Sequence, residues 1–492
     1  MTKISQEKQY RIVAKNTITL GGAQLIQMLI TLIRAKVIAI LVGSTGMGIN
    51  SLILSALTIT QQVSSIGIYQ SGVREISATI GNQPNLNQLI KIRKIFLTLS
   101  LLSGIAGSIL MIILSPLFSI LLFNNTDYTK WFIIVSSTLI FMSLQNGYGV
   151  IMQATQNIEL IAKSSIIGGI SGLIPAITLF YIFKIKAIVP VFILSYAIFY
   201  LSFRYFEHKI KINKPYKYTK DEFLIFSKPI LKLGIMLMAS MITSTFFSFM
   251  LNFFISRYGS IEDVGIYQSA TSIITQGMSI IYVILASDFF PRISTIHTNN
   301  VEMKILIKQQ SDIILFIITP ISVLIISLAP FIIWILLSPQ FNQAIKLIQI
   351  MGIGIIFRAI WIILSYIILA KGDKKNYFIF DALLGNGINF IISIIGFYYE
   401  KLEGLAFAYL AGSIFMVGLL WIMTKCKYKI SLAFNDILKA VRLSAILTLT
   451  YIISTYTDGM IRNISLCIIC LSTGVYSFMQ LNKRMNIFKF IQ

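Results

Sequence analysis

The chain has 492 residues, of which 56% are hydrophobic and 12% charged, against roughly 25% charged in soluble domains. Long apolar runs joined by short, mostly basic connectors exclude a soluble enzyme, and they exceed the roughly ten-residue alternating strands of a membrane β-barrel. The net charge of +23 requires no nucleic-acid partner. Basic connectors beside anionic lipid account for it, and the longest connector, 205–231, is too short for a nucleic-acid-binding domain.

Crossing a hydrocarbon core of about 30 Å takes about 20 residues of helix. The start, MTKISQEKQYRIVAKN, is basic and polar. The run behind it is too long for a signal-peptide core and has no small-residue cleavage site, so no cleavable leader is expected. Six helices are then expected at 16–41, 48–68, 95–122, 131–152, 164–183 and 187–204. The first carries Gln24, Gln27, Arg34 and Lys36, the second Gln61 and Gln62, and the fourth Gln145 and Asn146. After the basic segment 205–231, six more are expected at 232–255, 264–287, 309–337, 345–370, 377–397 and 402–423. These hold Asn252, Gln276, Arg358, Trp361, Asp381, Asn386 and Asn389. The last two, 443–456 and 463–481, form a hairpin whose first member is the shortest of the fourteen.

Charge tests this count. One set of connectors holds 31 of the 41 Lys and Arg residues; the opposite set holds Lys130, Lys184, Lys186, Arg257, Lys346, Lys401 and Arg462. That bias predicts both termini in the cytoplasm and an even number of spans. Cys467 and Cys470 form a CxxC on an apolar helix without accompanying basic groups, which predicts packing rather than redox or metal chemistry.

The halves repeat. An offset of 217 residues pairs Gly48 with Gly265, Ile49 with Ile266, Ile76 with Ile293 and Ser77 with Ser294. An offset of 216 aligns 151–169 with 367–385. Six helices per repeat keeps the topology parallel. The expected organisation is an N-terminal six-helix lobe at 1–204, a cytoplasmic linker at 205–231, a second six-helix lobe at 232–424 and an added hairpin with a tail at 425–492. Glycines inside spans, among them Gly352, Gly354, Gly385 and Gly387, predict close helix approach.

The segment AKNTITLGGAQLIQMLITLIRAKVIAILVGSTGMGINSLILSALTITQQVSSIGIYQSGVREISA, with YGSIEDVGIYQSA in the second half, resembles the O-antigen and enterobacterial-common-antigen flippases. These form part of the polysaccharide-transport branch of the multidrug/oligosaccharidyl-lipid/polysaccharide (MOP) superfamily. The resemblance covers most of the chain. It implies an all-α polytopic fold of the MATE and lipid-II-flippase type with about 14 transmembrane helices, two more than the twelve usual in that branch. It also implies a secondary transporter in the bacterial inner membrane. Its cargo would be undecaprenyl-pyrophosphate-linked oligosaccharide moving from the cytoplasmic to the periplasmic leaflet. Membrane lipids, a polysaccharide polymerase and a chain-length regulator are the other implied partners.

Such cargo needs cationic and hydrogen-bonding groups in a wet cleft, because its charges and hydroxyls cannot enter hydrocarbon uncompensated. Arg34, Lys36 and Arg358 interrupt apolar spans, where each charge costs about 2.5–3.5 kcal/mol unless it faces protein or water. They are the expected pyrophosphate contacts, Arg through paired donors and Lys as a point charge. Gln61, Gln145, Asn146, Gln276 and Asn389 are the expected sugar-binding amides, with interhelical bonding as the competing use. Trp361 stands one turn from Arg358 and could stack on a sugar ring or simply pack. Asp381 is the candidate for coupling to a Na+ or H+ gradient, with the membrane potential as another energy source. No nucleotide loop and no other cofactor is expected. A cation-coupled drug exporter is the first rival function, opposed by the basic sign of the deep charges. A membrane glycosyltransferase or polymerase is the second, opposed by the lack of a loop with catalytic acids.

Overall fold

The computed structural model describes residues 3–80, 86–210, 212 and 214–485. Among them every regular element is a helix. The chain divides into two compact units, Met1–Gly265 and Ile266–Gln492.

The first unit contains α1 (Lys3–Leu41), α2 (Gly43–Ser65), α3 (Ile68–Ile80), α4 (Leu86–Phe123), α5 (Thr129–Val135), α6 (Thr138–Ala154), α7 (Ile158–Phe183), α8 (Ile188–Glu207) and α9 (Lys220–Tyr258). It ends within the first turns of α10 (Ile261–Ile284). The second unit continues through α11 (Phe290–Thr295), α12 (Asn300–Ser327), α13 (Ala329–Leu336), α14 (Gln343–Ala370), α15 (Lys374–Asn376), α16 (Asn386–Tyr428), α17 (Phe434–Tyr456) and α18 (Gly459–Met485).

Among the described residues nine helical stretches are long and apolar enough to cross a membrane, and ten when the bent pair α2–α3 counts as one. Two of the nine, Ile158–Ile210 and Lys374–Tyr428, have 53 and 55 residues, far beyond the roughly 20 that one crossing needs. The first folds back through a 3₁₀ turn at Lys184–Ala187. The second does so at Glu400 and Lys401, where φ reaches +49° at Lys401. The helix order thus accommodates fourteen passes in a multi-pass membrane protein.

Local chemistry moved several expected boundaries. The segment 48–68 does not run straight: it bends by 43° after Ser65 and continues as α3. Gly67 has φ +68°, and a Cβ there would collide with the carbonyl of Gly234, so only glycine permits the approach. The expected single helix 309–337 breaks at Leu328, two residues before Pro330, which takes an early position in α13 where its missing N–H costs nothing. The basic connector 205–231 becomes helical at Lys220. Thr219 accepts from the Glu222 N–H and the Glu222 carboxylate accepts from the Thr219 N–H, a capping box written in the sequence as TKDE. The shortest expected span, 443–456, starts earlier, at Phe434, and reaches 23 residues, enough to cross.

The glycine–acid–glycine run YGSIEDVGIY can be read residue by residue. Ser260 and Asp263 cap α10 reciprocally, with backbone-to-side-chain distances of 3.0 and 2.9 Å. Glu262 accepts from Ser44 Oγ at 2.6 Å. Gly265 makes room for the Ser44 carbonyl, and Gly48 does the same for the carbonyl of Ile261. The offset that pairs Gly48 with Gly265 also pairs Ser44 with Ile261. The crossing of α2 with the start of α10 therefore maps onto itself under the repeat.

Each unit has its own core. Phe96, Phe132 and Phe180 are fully buried in the first. The second is built around α14, whose apolar stretch is 72% buried, the largest share among the candidate spans of the described residues. A charge on α14 therefore has protein around it rather than lipid.

Candidate functional site

In the first unit, α1 lies along α7. The Gln27 side-chain amide donates to the carbonyl of Ser165, so this glutamine is occupied in helix packing. Two turns on, half-buried Arg34 reaches α8, its guanidinium carbon 5.9 Å from the Phe192 ring centroid and beside the Tyr196 hydroxyl. Among the described residues no carboxylate lies within ion-pairing distance of Arg34. Lys36 is half-buried on the same helix.

On α2 the amide nitrogen of Gln61 is buried without a hydrogen-bond partner, and so is the side-chain oxygen of Asn50. Eleven residues is close to three full turns, so the two amides lie on one face of α2. Buried amides without partners are costly to keep and are the groups a hydroxylated ligand would satisfy. Asn50 was not expected from the sequence, because it sits near a helix start where asparagine is unremarkable. Gln145 and Asn146 are half-buried on α6.

The second unit holds the densest constellation. Trp361 is 4% exposed, and the Arg358 guanidinium carbon stands 3.8 Å from its ring centroid. The indole N–H donates to Asp381 Oδ1 at 2.7 Å. Ser365 Oγ donates to the same oxygen, and the Tyr377 hydroxyl lies beside the Asp381 carboxylate. Trp361 and Ser365 are four residues apart on one face of α14. Asp381 faces them from a π-helical stretch, Tyr377–Gly385, a wide-turn geometry that concentrates at functional sites. A Cβ on Gly385 would come within 2.8 Å of the indole Cζ2, so that glycine gives the ring its seat.

The structure thus brings together Arg358, Trp361 and Asp381, which are separated by up to 23 residues in sequence. The indole bridges the cation and the acid: among the described residues Arg358 has no carboxylate within ion-pairing distance, and its cation rests on the ring face. Asn389, one turn beyond Gly385, donates to the Gly385 carbonyl at 2.6 Å and packs its side-chain oxygen against Gly412. Its amide is used between helix turns. Gln276 is half-buried on α10. Ser365 and Tyr377 had no sequence signal, since each joins the site only through the register of α14 against the π-helical stretch.

Charged clusters lie near helix ends in both units. The Arg93 guanidinium grips Glu207 in bidentate fashion, with Nη2 to Oε2 at 2.9 Å, and both side chains are buried. In the second unit Lys427 Nζ and Tyr428 Oη donate to Asp373 Oδ2 at 2.6 and 2.8 Å. The Lys427 ammonium, helped by Asn376 and Tyr428, holds the Asp373 carboxyl well below the usual carboxylate range. Among the described residues no three His, Cys, Asp or Glu side chains converge as a metal site. Cys470 Sγ is 3.7 Å from Ser327 Oγ, a contact between α18 and α12.

The family model described as polysaccharide biosynthesis protein matches residues 37–346. A second model, described as lipid II flippase MurJ, matches residues 228–472. No curated protein sequence matches the chain. Among solved structures the fold is similar to lipid II flippase MurJ in an inward closed conformation, at 17% identity and TM-score 0.69, covering 96% of this chain and 99% of that one. It is also similar to an inward-facing multidrug resistance MATE family transporter of the MOP superfamily, at 13% identity and TM-score 0.68, covering 87% and 99%. A third similar structure is a MOP superfamily transporter from Pyrococcus furiosus, at 14% identity and TM-score 0.60, covering 88% and 96%.

Proposed function

The chain belongs to the polysaccharide biosynthesis protein family, and from that premise we propose that it flips lipid-linked oligosaccharide across the bacterial inner membrane by alternating access. The cargo is an undecaprenyl-pyrophosphate-linked repeat unit, carried from the cytoplasmic to the periplasmic leaflet, with both termini of the carrier in the cytoplasm. The observation that carries this reading is the state of the two deep arginines. Arg34 and Arg358 rest on aromatic rings rather than on carboxylates, so their donor edges are available to an anion. The match to a lipid II flippase model over residues 228–472 supports the same class of cargo.

The chemistry follows from these groups. Guanidinium donors replace water around the pyrophosphate as it leaves the interface. Gln61 and Asn50 take sugar hydroxyls on the face of α2, while the polyprenyl tail stays in lipid. Lys36, Gln145, Asn146 and Gln276 are the further polar contacts of this proposal. Asp381 is its coupling group: a carboxylate that gains or loses a proton or Na+ alters its bonds to Trp361 and Ser365. Because Trp361 also carries Arg358, the grip on the anion changes with it. A polysaccharide polymerase and a chain-length regulator would receive the cargo.

The test is leaflet-resolved quantification of undecaprenyl-pyrophosphate oligosaccharide in cells with and without the protein. Retention on the cytoplasmic leaflet is the expected result. An unchanged distribution in a strain without a redundant carrier would reject the reading.

A further inference from the structure

Beyond α8 the chain turns through a 3₁₀ helix, His208–Ile210, and one side of this region forms a cleft of about 510 Å³ lined by Leu201, Arg204, Tyr205, His208 and Lys209. These positions follow i, i+3, i+4, i+7 and i+8, a single helical stripe. Its N-terminal end is apolar and outward: Leu201 is 55% and Tyr205 64% exposed, and Leu194 continues the exposed apolar surface two helical turns earlier. Its other end is cationic. Arg204 spends one donor on Tyr200 Oη at 3.1 Å, and the Lys209 ammonium sits over Phe206 and Tyr205, 4.7 and 5.2 Å from their ring centroids.

The nearby acid is not available to either cation, because Glu207 points inward and is claimed by Arg93. On its outer side Glu207 approaches His208 Nδ1 at 3.8 Å. A guanidinium bonded to a tyrosine hydroxyl and an ammonium over two rings, at the foot of an exposed apolar surface, match the two parts of a phospholipid: a phosphodiester and an acyl chain. We infer that this cleft is a binding site for an anionic phospholipid of the leaflet on which the basic connectors lie, with phosphate between Arg204 and Lys209 and a chain along Leu201. The site is independent of the transported cargo, and its residues on α8 come after Phe192 and Tyr196, which meet Arg34.

The experiment is native mass spectrometry of the purified full-length chain released from micelles doped with phosphatidylglycerol or phosphatidylethanolamine. Phosphatidylglycerol adducts on the wild type are expected to exceed those on Arg204→Gln/Lys209→Gln by at least about fivefold, the scale of one or two interfacial cations. Phosphatidylethanolamine should show no such difference, and Arg204→Lys/Lys209→Arg should retain binding, which separates lost charge from lost folding. Leu201→Ser should also weaken the adduct. Equal phosphatidylglycerol retention on the wild type and the double Gln variant would overturn the inference. So would an equal loss in a control lacking Lys130 and Lys186, or full displacement by millimolar glycerol phosphate, which would assign the cleft to soluble phosphate.

Discussion

Replacing Glu207 with Gln tests how far charge is held inside the first unit. Glu207 is fully buried and Arg93 is 7% exposed, and two near-parallel N–H to oxygen bonds join them. The Tyr148 ring covers the guanidinium at 5.9 Å, and Tyr148 itself belongs to a buried cluster with Met152 and Phe203. At an effective dielectric of about 20 a pair about 4 Å apart gains about 4 kcal/mol. Removing one partner from a buried pair leaves an uncompensated charge and costs about 3–5 kcal/mol. Glu207→Gln, Glu207→Leu and Arg93→Met should each lose stability on that scale. The double variant Arg93→Met/Glu207→Leu should recover most of it, because apolar groups of similar size pack without a charge to strand. The assay is reversible unfolding in mixed detergent and dodecyl-sulfate micelles followed by far-UV circular dichroism, analysed as a double-mutant cycle. Single variants within about 1 kcal/mol of the wild type, the magnitude of an exposed pair, would refute the reasoning.

Other expectations come from different parts of the molecule. Gly48→Ala and Gly265→Ala should each cost about 1–3 kcal/mol by overpacking, since each Cβ would overlap a carbonyl across the same crossing; their effects should be less than additive in the same unfolding assay. Trp361→Phe keeps a ring under Arg358 but removes the N–H to Asp381; losing a bond to a charged group, worth about 1.5–3 kcal/mol, should slow flipping by about 10- to 100-fold at normal protein abundance, and wild-type flipping would remove the bridge from the mechanism. Arg34→Gln and Arg358→Gln should abolish flipping with normal abundance, measured by the same leaflet assay. Asp373 has its folded pKa depressed by Lys427, so its contribution is present above the unfolded value of about 3.9 and is lost as pH falls through the lower folded value. Lys427 is about half exposed, which keeps the effect under about 1 kcal/mol; Asp373→Asn should flatten the acid limb of thermal stability and leave stability near neutral pH changed by no more than that amount.

Apolar run length and the sign of the connectors determined the class, the all-helical architecture and the order of the passes, because a lipid solvent demands long satisfied helices and penalises charge by position. The repeat was legible for the same reason: Gly48 and Gly265 are small where two carbonyls must approach, and that requirement is local enough to survive in the sequence. Arg34, Arg358 and Asp381 stood out as charges in apolar surroundings. Their partners did not. Whether the indole beside Arg358 meets Asp381 depends on the register of α14 against the π-helical stretch Tyr377–Gly385, and no local propensity writes that register. Ser365 and Tyr377 enter the site through that one juxtaposition, while Asn389 is taken up by the Gly385 carbonyl and by packing against Gly412. The burial of Arg93 with Glu207 likewise follows from α4 and α8 meeting across 114 residues. Periodicity shows which residues a membrane helix can hide, and packing alone decides what each hidden polar group meets.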